Sequence, residues 1–68
     1  MTIKLNKKYK IKALKNHHLW VDVIALKKTR RMIDGNYLYK CKIIKTHWGT
    51  LNIGDEKEIN SGHDWFDI

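Results

Sequence analysis

The sequence contains no proline, a single cysteine and no apolar run that approaches the roughly 20 residues of a membrane-spanning helix. One cysteine cannot form an internal disulfide, and a free thiol is typical of proteins in a reducing compartment. The lysine-rich N-terminus also lacks the apolar core of a signal peptide. A chain of 68 residues supports one small hydrophobic core and no second. We therefore expect one soluble, cytoplasmic domain spanning residues 1–68.

Acidic residues are scarce, with seven Asp and Glu against 14 Lys and Arg and a formal charge of +7. Residues 1–45 hold 13 of these cations and two acids, whereas residues 46–68 hold one cation and five acids. This asymmetry indicates a basic body that binds a polyanion, or an acidic C-terminal strand that lies beside basic strands and offsets their repulsion. An AT-rich coding sequence would also enrich lysine without any binding role.

Alternation of apolar and polar residues predicts strands. Residues 8–13 place lysine at every even position and an apolar residue at every odd one. Residues 19–26 are rich in β-branched residues with one charge, which predicts a central strand that is covered on much of both faces. Residues 56–59 are expected to form a short strand or a single helical turn, and residues 65–68 a terminal strand.

The dipeptide Asp34-Gly35 predicts a β-hairpin, because it tolerates the positive φ that tight hairpin turns need. The returning strand is residues 37–45. With a two-residue loop, Arg30 would face Tyr39 and Lys27 would face Lys42.

These elements predict an all-β fold, a small five-stranded antiparallel barrel. An SH3-like barrel is favoured over an OB-like one because residues 46–54, with glycine at 49 and 54, are too short for the OB helix. The run 51–59 resembles the turn-then-strand segment common in SH3-like barrels.

Clustered cations are the main candidates for a binding site. Four of them lie in residues 27–31, and a second row on residues 8–12 has a spacing of about 6.6–6.8 Å, close to that of phosphates along a single strand. Lysines of this kind can instead blunt the edge of a sheet against aggregation. The predicted phosphate contacts are Lys8, Lys10, Lys12, Lys27, Lys28, Arg30, Arg31, Lys40 and Lys42.

Most of the seven aromatic residues are expected in the core, because a barrel this small needs them there. Tyr39 and Trp48 are the predicted stacking residues, since an exposed ring beside lysine suits the bases of a single strand. Trp65 and Phe66 are adjacent in a strand and must point to opposite faces.

No metal, cofactor or catalytic activity is expected from the sequence. The four histidines and Cys41 show no metal-ligand spacing. Ser61, His63 and Asp64 lie too close in sequence to converge as a catalytic triad. The glycines are isolated, so there is no phosphate-binding loop.

Two functions remain open. The first is a nucleic-acid-binding module, for DNA or RNA, that contacts the phosphate backbone through the basic hairpin and strand face with little sequence preference. The second is a small interaction or inhibitor module that docks on an acidic partner protein, or a homodimer paired through edge strands. The acidic segment 55–67 favours the second, because it would repel a polyanion.

Overall fold

A computed structural model describes residues 2–68, so Met1 of the expected domain lies outside it. Within that range the chain forms one antiparallel sheet of five strands in the order β4-β3-β2-β1-β5. The strands are β1 (Lys8–Ala13), β2 (Asn16–Arg31), β3 (Tyr37–Thr46), β4 (Glu56–Asn60) and β5 (Asp64–Asp67). The all-β, five-stranded antiparallel prediction is confirmed. Among residues 2–68 no pairing joins β4 to β5, so the sheet is not closed.

The core covers one side of the sheet. Alternation in β1 buries Tyr9, Ile11 and Ala13 there, as the pattern predicted. The Trp65 ring contacts Tyr9 edge-on, with ring centroids 5.4 Å apart. Burying such large apolar side chains is the main force that holds a small sheet together. In the described part of the chain, no helix has the length and apolarity needed to cross a membrane.

The hairpin between β2 and β3 has a five-residue loop, residues 32–36, and the expected two-residue loop is wrong. The backbone N–H of Met32 donates to the carbonyl of Asn36 at 2.7 Å, and the N–H of Asn36 donates to Asp34 Oδ1 at 2.9 Å. Gly35 adopts a φ of 89° inside this loop. The Asp34 side chain thus stabilises a local turn that competes with the tight hairpin turn.

The longer loop changes the register of the hairpin. Arg30 lies opposite Leu38, and Lys27 lies opposite Lys40, instead of the expected Tyr39 and Lys42. Lys27 therefore still faces a lysine, but this lysine is Lys40 and not Lys42.

Irregularities in the β2–β3 pairing change which residues face outwards. The register shifts at three places, and the residues skipped there are Leu26, Thr29 and Ile44. Each skipped residue reverses the alternation beyond it. Lys27 and Lys45 consequently join the side of the sheet opposite the core, which we call the outer face.

Candidate nucleic-acid interface

The outer face gathers lysines from two strands around one tryptophan. Residues paired across antiparallel strands share a face, and Lys12 of β1 pairs with Trp20 of β2. Lys10 pairs with Asp22, which pairs on its other side with Lys45 of β3. Residues far apart in sequence therefore meet in one area.

We call Lys10, Lys12, Trp20, Lys45 and His47 the Trp20 cluster. The Lys10 ammonium lies 4.3 Å from the centroid of the Trp20 ring, and that of Lys45 lies 5.9 Å away. The His47 ring stacks near-parallel on Trp20, with centroids 5.9 Å apart and an interplanar angle of 16°. The N–H of His47 donates to the Trp20 carbonyl at 2.8 Å, which fixes the two residues side by side.

A shallow depression opens beside this cluster. Lys10, Lys12, Trp20 and His47 line it, together with His17 and His18 at the start of β2. His17 Nε2 lies 2.7 Å from Asp64 Oδ2, which anchors one wall of the depression to β5. The depression therefore combines an aromatic ring with side chains that can neutralise an anion.

Asp22 is the acidic side chain at the centre of the cluster. Its Oδ1 atom lies 3.7 Å from Lys10 Nζ, and its side chain is 14% exposed. That oxygen accepts no hydrogen bond in the structure. One carboxylate between Lys10 and Lys45 leaves the cluster with a positive charge.

Carboxylates neutralise part of the basic surface further along the sheet. On β4, Glu56 lies opposite Lys42 and Glu58 lies opposite Lys40. Lys40 Nζ also lies 3.3 Å from Glu56 Oε1. Lys40 and Lys42 thus join Lys10 among the predicted phosphate contacts that lie next to a carboxylate.

The other edge of the sheet shows the same arrangement. The Lys7 ammonium lies 3.0 Å from Asp67 Oδ1, and its hydrogen bond to that carboxylate raises the pKa of Lys7. The acidic segment is therefore divided between the two edges, next to β3 and next to β1. Acidic strands thus lie beside basic strands and offset their repulsion, which is one of the two arrangements that the charge asymmetry indicated.

The predicted cations of the hairpin arm are exposed. Lys27, Lys28, Arg30 and Arg31 make no ion pair with any carboxylate in residues 2–68. The Lys28 ammonium lies 4.2 Å from the centroid of Tyr37, where the expected register had paired Arg30 with Tyr39. Lys8, at the start of β1, is also exposed.

The two predicted stacking residues do not present open rings on the outer face. Tyr39 is 7% exposed and its ring contacts Trp65 edge-on at 5.9 Å. Trp48 is half-buried, packs against the core and meets His63 at 90°. Both rings contribute to packing.

Sequence reasoning missed Trp20, Lys45 and His47 as site residues. The signal for Trp20 was present, because it shares the even positions of β2 with Asp22. Lys45 carried no signal, because simple alternation along β3 places it on the core side.

Cys41 is a fully buried free thiol, and burial raises its pKa to about 12. The residues that the structure describes contain no group of three His, Cys, Asp or Glu side chains placed to hold a metal.

Comparison with protein-family models, curated proteins and solved structures finds no match for this chain.

Proposed function

We propose that this protein binds nucleic acid by contacting its phosphates, largely without sequence preference. The observation that carries the proposal is the convergence of Lys10 and Lys45, from strands on either side of β2, on the partly exposed ring of Trp20. Lys27 and Arg30 of the hairpin arm extend the positive surface on the outer face, and Lys28 and Arg31 lie on the other side of the arm. The proposal includes no catalytic activity.

The kind of cation supports backbone contact over base reading. Most of these residues are lysine, a flexible point charge, whereas bidentate recognition of a base edge calls for arginine. Phosphate contacts displace bound counterions, so the affinity depends steeply on salt.

An SH3-like barrel and a cytoplasmic location are the finer parts of the proposal. The long strand β2 pairs with β1 through residues 16–24 and with β3 through residues 21–31. One long strand shared by two neighbouring strands in this way favours a sheet that curls into a barrel. The free thiol of Cys41 favours a reducing compartment.

The test is fluorescence anisotropy with labelled single- and double-stranded DNA and RNA at low and near-physiological salt. We expect micromolar or tighter binding at low salt. Replacing Lys27, Lys28, Arg30 and Arg31 together with glutamine should weaken binding to all sequences alike. Unchanged affinity would remove the hairpin arm from the site, and absence of binding at low salt would refute the function.

A protein-interaction module is the second candidate, and the edges of the sheet favour it. Among residues 2–68, β4 and β5 each pair on one side, which leaves the other side for a partner strand. The exposed apolar residues Phe66 and Ile68 lie at the β5 edge. Sedimentation over a range of concentrations tests pairing between copies, and affinity capture tests docking on an acidic partner protein.

A further inference from the structure

We propose that the Trp20 cluster is a stacking site for an unpaired base, so that the ligand is a single-stranded nucleic acid. This inference rests on the proposed function and specifies its substrate class. It assigns base contact to the ring pair of Trp20 and His47, and phosphate contact to the lysines around it.

The ring pair offers a flat surface of the right kind. The two rings are held near-parallel, and the backbone hydrogen bond from His47 to Trp20 keeps them in register. His47 is exposed and Trp20 is half-buried, so the outer part of the stack is open to solvent. A base adds to such a stack through its own π-face, whatever its identity.

The Lys10 ammonium covers the Trp20 ring, so it must move aside for a base to stack there. The Lys10 ammonium already lies over the ring at 4.3 Å. Lysine carries a long flexible stem, so the ammonium can leave the ring and pair with a phosphate next to a bound base. Lys45, 5.9 Å from the ring, and Lys12, at the wall of the depression, lie where flanking phosphates would pass.

The shape of the site favours a single strand over a duplex. In a duplex the base faces are buried in the stack, so a ring inside a shallow depression cannot reach them. The lysines of β1 add a row with a repeat of about 6.6–6.8 Å, close to the phosphate spacing of an extended strand.

The experiment compares three labelled probes: a short thymidine strand, an abasic strand with the same number of phosphates, and a duplex. Stacking should make the thymidine strand bind about tenfold tighter than the abasic strand. Trp20→Leu should abolish that preference, and Trp20→Phe should keep most of it. Tyr37→Leu is the matched control, because Tyr37 is another ring with a lysine over it, and it should leave the preference intact.

The outcomes separate this inference from the proposed function. Equal affinity for the thymidine and abasic strands, with a steep salt dependence, would overturn stacking and leave phosphate binding in place. Absence of binding to every probe would overturn both. Thermal melts verify that each variant folds, and His47→Ala, which removes an exposed ring, carries the same test if Trp20→Leu does not fold.

Discussion

Lys45 lies directly opposite Asp22 across β2 and β3, on the outer face of the sheet, because the pairing of these strands skips Ile44. Without that bulge Lys45 would share the core side with Ile43. The bulge therefore places a second ammonium group near the Trp20 ring. A local irregularity of one residue thus supplies one of the three lysines in the cluster.

Asp22→Asn should strengthen binding to nucleic acid. The substitution keeps the shape of the side chain and removes the carboxylate between Lys10 and Lys45. A gain of about two- to fivefold in affinity at low salt corresponds to one partly exposed charge interaction. Anisotropy titrations measure it, and weaker or unchanged binding would show that the cluster does not face the ligand.

Two double substitutions with the same change in charge should differ in effect. Lys10→Gln with Lys45→Gln removes cations that share one carboxylate, whereas Lys40→Gln with Lys42→Gln removes cations that already face Glu56 and Glu58. The first pair should reduce the log–log salt slope for a single strand by about 1.4. The second should change it little. Equal losses would show that net charge alone governs binding.

Gly62→Ala should destabilise the fold, and Gly49→Ala should not. A Cβ atom on Gly62 would lie 2.7 Å from Asn36 Nδ2 and 3.1 Å from Asn60 Oδ1, whereas one on Gly49 meets nothing within 4 Å. Because the neighbours at Gly62 are side-chain ends that can shift, we expect a cost of about 1 kcal/mol. Urea denaturation of both variants measures the difference, and equal stability would mean that residues 32–36 do not pack on residues 60–62.

Cys41 should resist alkylation while the protein is folded. With a pKa raised to about 12 by burial, its thiolate fraction at pH 8 is roughly a thousandfold below that of an ordinary thiol. The reaction should therefore proceed through unfolding, and a mild denaturant should accelerate it. Rapid labelling of the folded protein would contradict the buried position.

The same pKa shift gives stability a direction with pH. In the folded state the Cys41 thiol keeps its proton above the pH, near 8.5, at which the thiol of the unfolded chain loses it. The contribution of this buried thiol to the free energy of unfolding is complete below that pH and falls as the pH rises towards 12. Melting temperatures across this range should fall more steeply for the natural protein than for Cys41→Ala, and parallel curves would contradict the assignment.

The alternation of β1 was readable in the sequence, because the direction of successive side chains in a strand is a local property. It identified Tyr9 and Ile11 as core residues and Lys10 as an outward one, and the structure confirms all three. The stacking residues were harder to choose. Every aromatic residue is a candidate for the core, and only contact with other strands separates Tyr39 from Trp20.

Local sequence patterns establish the all-β class of the fold, the basic character of the chain and the outward row of lysines on β1. The register of β2 on β3, the position of Lys45 beside Trp20 and the division of the acidic segment between the two edges of the sheet arise from the folded arrangement of the strands. Alternation and turn residues act over a few neighbouring positions. Register and edge placement depend instead on bulges and on contacts between residues far apart in the chain, where the burial of the core selects one pairing from several that the local pattern allows.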